Sequence, residues 1–98
     1  MGLKMKASEF LEAGIRHERD RAATYDKPQG ERSIPPVVVA FNALTGHTLS
    51  DEEGWLFMML VKASRSQQGI YSQDSYEDGA MYFGLMGESA HVARQVEK

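Results

Sequence analysis

Acidic side chains at the starts of two helical stretches are the residues best suited to chemistry in this 98-residue chain. Glu52 and Glu53 open one stretch, and Asp74, Glu77 and Asp78 open the next. Carboxylates offered from two helices suit Mg²⁺, a hard ion that takes oxygen ligands at about 2.0–2.1 Å and often binds through one or two carboxylates plus substrate phosphates. The same five acids also have a simpler account, because capping and the helix macrodipole favour negative charge at helix N-termini. Lys62 and Arg65 form a second group. Across antiparallel helices they would pair with Asp74 and Asp78; facing outward they would grip a phosphate, Arg through its planar fork and Lys as a point charge. Tyr25, Lys27 and Arg32 form a third group on a stretch containing Pro28 and Gly30, with Arg16, Arg19 and Arg21 just upstream. Such a loop either contacts a base and its phosphates or is a solvated connector.

Other chemistries lack their residues. No cysteine is present, which excludes a disulfide framework, a thiolate zinc site and a cysteine nucleophile. His17, His47 and His91 lack the i, i+4 spacing of a zinc-binding helix and are expected to be exposed or capping. Neither a Gly-x-Ser-x-Gly elbow nor a Gly-rich phosphate loop occurs.

Four helical stretches position these groups. Ser8 is expected to cap the first, whose apolar face is drawn by Leu11, Ile15 and Ala22 with Phe10 beside them. Ser33 with Pro35 and Pro36 marks the second start, since proline is tolerated in a first turn where its missing N–H has no intrahelical partner, and Gly46 marks its end. Ser50-Asp51-Glu52-Glu53 predicts a capping box, and residues 55–61, apolar on all sides, predict a central helix or one covered by a second subunit. The last helix is expected from about Ser72 to Ser75 onward, with Gly79, Gly84 and Gly87 implying close helix approach or a break near Gly87. These stretches predict an all-α fold, a compact bundle of three to four helices forming one domain over 1–98, with 1–7 and 93–98 expected to fray.

Composition sets the class. Hydrophobic residues at 42% and charged residues at 26% place the chain among globular proteins. A single small core buries a modest share of surface, so assembly into a homo-oligomer is expected. Its net charge of −3 argues against general nucleic-acid binding, which needs an excess of Lys and Arg. The apolar run at 55–61 falls far short of the roughly 20 residues that span a bilayer, and no signal-peptide-like stretch occurs, so a cytoplasmic location is expected.

Three segments carry a family resemblance. They are Arg21 with Tyr25-Asp26-Lys27-Pro28; Ser50-Asp51-Glu52-Glu53 leading into Met58-Met59-Leu60-Val61-Lys62-Ala63-Ser64-Arg65; and Asp74-x-Tyr76-Glu77-Asp78 followed by Tyr82. In these the chain resembles small phage-encoded proteins similar to the MazG-like all-α nucleotide pyrophosphohydrolases. Such enzymes hold Mg²⁺ through a Glu-Glu-x-x-Glu helix and a later Glu-x-x-Asp helix. Here Leu56 stands where the third Glu is required, and the later acids run Asp74, Glu77, Asp78. The resemblance therefore implies Glu53, Asp74 and Asp78 as the remaining metal acids, with Lys62 and Arg65 beside them.

Two functional expectations follow, with a third of lower rank. First comes an accessory protein that binds a host protein or a nucleotide, counteracting a host defence, with Tyr25, Lys27, Arg32, Lys62 and Arg65 as binding residues. Second comes a Mg²⁺-dependent hydrolase splitting nucleoside triphosphates between the α- and β-phosphates. A helix-turn-helix regulator ranks third, opposed by the acidic balance and by the apolar third helix, since a recognition helix presents polar groups to bases.

Overall fold

The computed structural model describes residues 5–24 and 33–96. Four helices follow one another: α1 (Ala7–Thr24), α2 (Ile34–Thr45), α3 (Asp51–Ser66) and α4 (Gln73–Val96). No strand occurs among the described residues. No described helix is long and apolar enough to cross a membrane.

Local chemistry sets most helix ends. Ser50 and Glu53 form the capping box: the Ser50 hydroxyl accepts from the Glu53 N–H at 3.1 Å, and Glu53 Oε1 accepts from the Ser50 N–H at 2.9 Å. Proline occupies the first turn of α2, and Gly46 closes that helix at φ 78°, in the left-handed region that glycine enters without steric cost. At α1 the start lies earlier than Ser8. Glu9 Oε1 accepts from the Lys6 N–H at 2.8 Å, which places Lys6 in the capping position and Ser8 inside the first turn. The end of α4 also differs from expectation, because the helix runs unbroken through Gly87 to Val96.

The helices do not close into a ring. α3 and α4 form a central antiparallel hairpin, with Lys62 beside Asp78 near the connection and Glu52 beside Arg94 at the far end. Among the described residues, α1 comes close to α4 and α2 to α3 along their backbones. The buried apolar cluster sits inside the hairpin and under α2: Ile34, Val38, Trp55, Met81, Tyr82 and Leu85. Trp55, 2% exposed, is its centre and lies nearly parallel to the Tyr82 ring at a centroid distance of 5.8 Å.

Two faces depart from the sequence pattern. On α1 the apolar pair Leu11 and Ile15 is half exposed, and the contact with α4 runs instead through Ala13 and Gly14. α3 is central, yet Phe57 and Leu60 point outward, so the apolar run at 55–61 is core on one side only.

Gly54 fixes the seating of α2. A Cβ there would come within 2.6 Å of Ile34 Cγ2 and 2.8 Å of Val38 Cγ2, and these methyls belong to β-branched side chains with one favoured helical rotamer. At Gly84 a Cβ would meet nothing within 4 Å. The two glycines should therefore respond oppositely to alanine. Gly54→Ala is expected to lower stability by about 1–3 kcal/mol through overpacking, after any gain in helix propensity, whereas Gly84→Ala should raise it by about 0.5–1 kcal/mol. Urea denaturation followed by Trp55 fluorescence measures both, and equal shifts in the same direction would contradict this packing.

Candidate functional site

The charged groups converge because two helix backbones touch. A Cβ on Gly14 would stand 3.1 Å from the Glu77 carbonyl oxygen, tighter than ordinary contact, so glycine lets α1 cross α4 this closely without displacing backbone. From that crossing the helical repeat carries His17 and Arg21 onto the seam, one and two turns beyond Gly14. Gln73, Glu77 and Asp78, with Tyr82 one turn after Asp78, answer them from α4.

Two adjacent polar layers result. In the first, Glu77, a buried side chain, accepts from His17 Nε2 at 2.8 Å through Oε1 and from Gln73 Nε2 at 2.6 Å through Oε2. A carboxylate can only accept, so the His17 proton facing it sits on Nε2. The Gln73 and His17 hydrogen bonds, helped by the positive charges of His17 and Arg16, hold the Glu77 carboxyl below its ordinary value of 4.5 against the opposing effect of burial. In the second layer, the Asp78 carboxylate is shared: Arg21 Nη2 meets Oδ1 at 3.2 Å and Lys62 Nζ meets Oδ2 at 3.1 Å. Arg21 also donates weakly to Tyr82 Oη at 3.4 Å, and its guanidinium carbon lies 5.8 Å from the centre of that ring.

The residues singled out from the sequence separate into three places. Asp74, Asp78 and Lys62 gather at the connected end of the hairpin, where Asp74 is exposed and Lys62 is spent on Asp78. Glu53 belongs to the capping box at the other end, one residue from Glu52, which pairs with Arg94 at 3.4 Å. Sixteen residues of α4 separate Arg94 from Asp78, about 24 Å of helix, so the structure does not bring Glu53 together with Asp74 and Asp78. Arg65 is exposed on the outer stripe of α3 with Phe57 and Leu60 and makes no ion pair among the described residues. Tyr25, Lys27 and Arg32 lie outside the described residues.

One grouping among the described residues could hold a cation: His17, Asp74 and Glu77, each offering one ligand atom within 4.8 Å of the others. Adjacent ligands of an octahedral ion at about 2.1 Å stand about 3 Å apart and opposite ones about 4.2 Å. One edge of the group is already closed by the His17–Glu77 hydrogen bond at 2.8 Å. His17 is half-buried in this pair, not an exposed or capping histidine as its isolation in the sequence predicts. A signal was present, since Ala13, His17 and Arg21 recur at four-residue intervals.

Beside the polar seam α1 and α4 leave an open groove of about 420 Å³. Leu11 and Ile15 wall it, Ala80 and Gly84 floor it, and Glu18 and Glu88 make its rim acidic.

Two outcomes test the seam. Asp78→Asn leaves Arg21 and Lys62 without their shared charge in a mostly buried setting and should cost about 2–3 kcal/mol; adding Lys62→Met should restore part of that loss, since it removes one orphaned cation. Additive effects in urea denaturation would show that the two side chains do not interact. Glu77 supplies a pH dependence of known sign. Its folded-state value is depressed, so its contribution is complete above 4.5 and is lost as pH falls through the depressed value. Denaturation midpoints measured from pH 7 to pH 3 should fall below about pH 4.5 in the native sequence, and Glu77→Gln should remove that component of the slope. No protein-family model, curated protein or solved structure matches this chain.

Proposed function

We propose that the chain is a small accessory binding protein that receives an apolar segment of a partner protein, one with basic flanks, in the groove between α1 and α4. If the chain is phage-encoded, as the resemblance implies, the partner is a host protein whose activity is blunted by the contact. The observation that carries this reading is Gly84. A glycine inside a helix costs about 0.5–1 kcal/mol relative to alanine, and here no packing neighbour within 4 Å requires it. It lies on the floor of a groove flanked by exposed Leu11 and Ile15, where missing side-chain volume admits a ligand. Retaining stability-lowering residues where a partner docks is the usual relation between stability and function.

The arrangement of acids supports binding over turnover. A pyrophosphohydrolase acting through Glu53, Asp74 and Asp78 needs them around one ion, whereas Glu53 caps the opposite end of the hairpin and both Asp78 oxygens face cations.

Both halves of the proposal are measurable. Incubation with each common nucleoside triphosphate and Mg²⁺ or Mn²⁺ should release no monophosphate and pyrophosphate by chromatography; release abolished by Asp78→Asn would move the chain to the hydrolases. Affinity capture from lysate of the expressing cell should retain a partner on the native chain and lose it on Gly84→Leu, which fills the groove. Equal retention by both would remove the groove from the proposal.

A further inference from the structure

The second large apolar surface lies on the opposite side of the hairpin and is independent of the groove. α2 contains no charged residue, and its Val37, Phe41 and Leu44, spaced at i, i+4 and i+7, form one face. Val37 and Phe41 line an apolar cavity of about 270 Å³ together with Val38, Gly54, Phe57 and Met58. Phe57 continues into the outer stripe of α3 with Leu60 and Val61. Leu44 is 87% exposed and Phe57 68%. At roughly 100 Å² or more for each large side chain left about half exposed, Val37, Phe41, Leu44, Phe57 and Leu60 offer on the order of 600 Å² of apolar surface. A standard interface buries about 800 Å² on each partner, so this face with its rim is the right size for one.

We infer that this face is the self-association surface of the chain, joining two copies across a two-fold axis that sets their α3 helices antiparallel. Three features select a second copy over other occupants. The centre of the face is uncharged, so two chains of net charge −3 meet there without repulsion. A two-fold axis presents the same patch twice, so one apolar face suffices for both sides. Finally, the outer stripe of α3 ends in opposite charges, Glu53 in its first turn and Arg65 in its last. Antiparallel pairing about the middle of the stripe brings Arg65 of each copy to the Glu53 end of the other and opposes the two helix dipoles. It also covers the outer side of α2, whose backbone lies close to α3 alone among the described helices.

Sedimentation equilibrium and a distance measurement test this together. The native chain is expected at twice its 11.0 kDa mass. Phe57→Glu should be monomeric with unchanged helical circular dichroism, because Phe57 is mostly exposed, while Ile70→Glu, at a 92% exposed site off this face, should remain dimeric. Arg65→Glu should weaken the dimer several-fold, with the effect shrinking at high salt. Since the chain has no cysteine, Ser64→Cys can carry a single nitroxide per copy. Antiparallel α3 helices in contact place the two labelled sites about 20 Å apart. A monomeric native chain, a Phe57→Glu dimer, or label separations more than about 10 Å from that value would overturn the inference; if Phe57→Glu unfolds, the label distance alone decides.

Discussion

Asp78 is the point on which the tertiary structure turns. Its two carboxylate oxygens are held by different helices, Arg21 from α1 and Lys62 from α3, while the residue itself belongs to α4. Three of the four helices are thus tied at one buried charge. Removing a carboxylate from water is costly unless its lone pairs are met, and here each oxygen has a cation. The arrangement is a constraint on mutual position more than a source of net stability, because a buried ion network returns little more than its desolvation cost yet tolerates only one geometry. Glu77, one residue earlier, is held by His17 of α1 and by Gln73 of its own helix where α1 crosses α4.

That constraint explains the unusual division of surfaces. Because the α1–α4 seam is filled by Gly14, His17, Arg21 and their acceptors, the bulky apolar residues of α1 are displaced to its flanks, where Leu11 and Ile15 border an open groove. α2 lies outside the charged network and is held by apolar contact, Ile34 and Val38 seated on the backbone at Gly54, and by the paired hydrogen bonds of the Asn42 side chain with the Leu49 backbone. The molecule therefore has polar packing on one side of its hairpin, mainly apolar packing on the other, and exposed apolar residues beyond both.

Much of the helical architecture was legible in the sequence because it depends on local rules. The capping box at Ser50 and Glu53, the prolines opening α2 and the glycine closing it act within a few residues, and each lies where its chemistry requires. The ion pair of Lys62 with Asp78 also followed from antiparallel helices. What stayed hidden was the facing of α1. Hydrophobic periodicity assigns Leu11 and Ile15 to the interior, whereas the seam is chosen by a glycine that permits backbone contact and by polar partners sixty residues away. The position of Glu53 was hidden for the converse reason. Its carboxylate had one use in the capping box and another in the resemblance, and the hairpin's length keeps the first while removing it from Asp74 and Asp78.

Glycine placement links this architecture to function. Gly14 and Gly54 are explained by contacts inside the chain, because a methyl at either would meet backbone or stiff side chains. Gly84 and Gly87 are not, since a Cβ at each would enter open space although both lie well inside α4. A helix with two such residues loses conformational stability of about 1–2 kcal/mol, in a domain with seven buried apolar residues among those described. Stability given up where nothing inside the chain gains from it points to something outside that does. The groove floored by Gly84 is where that partner would lie.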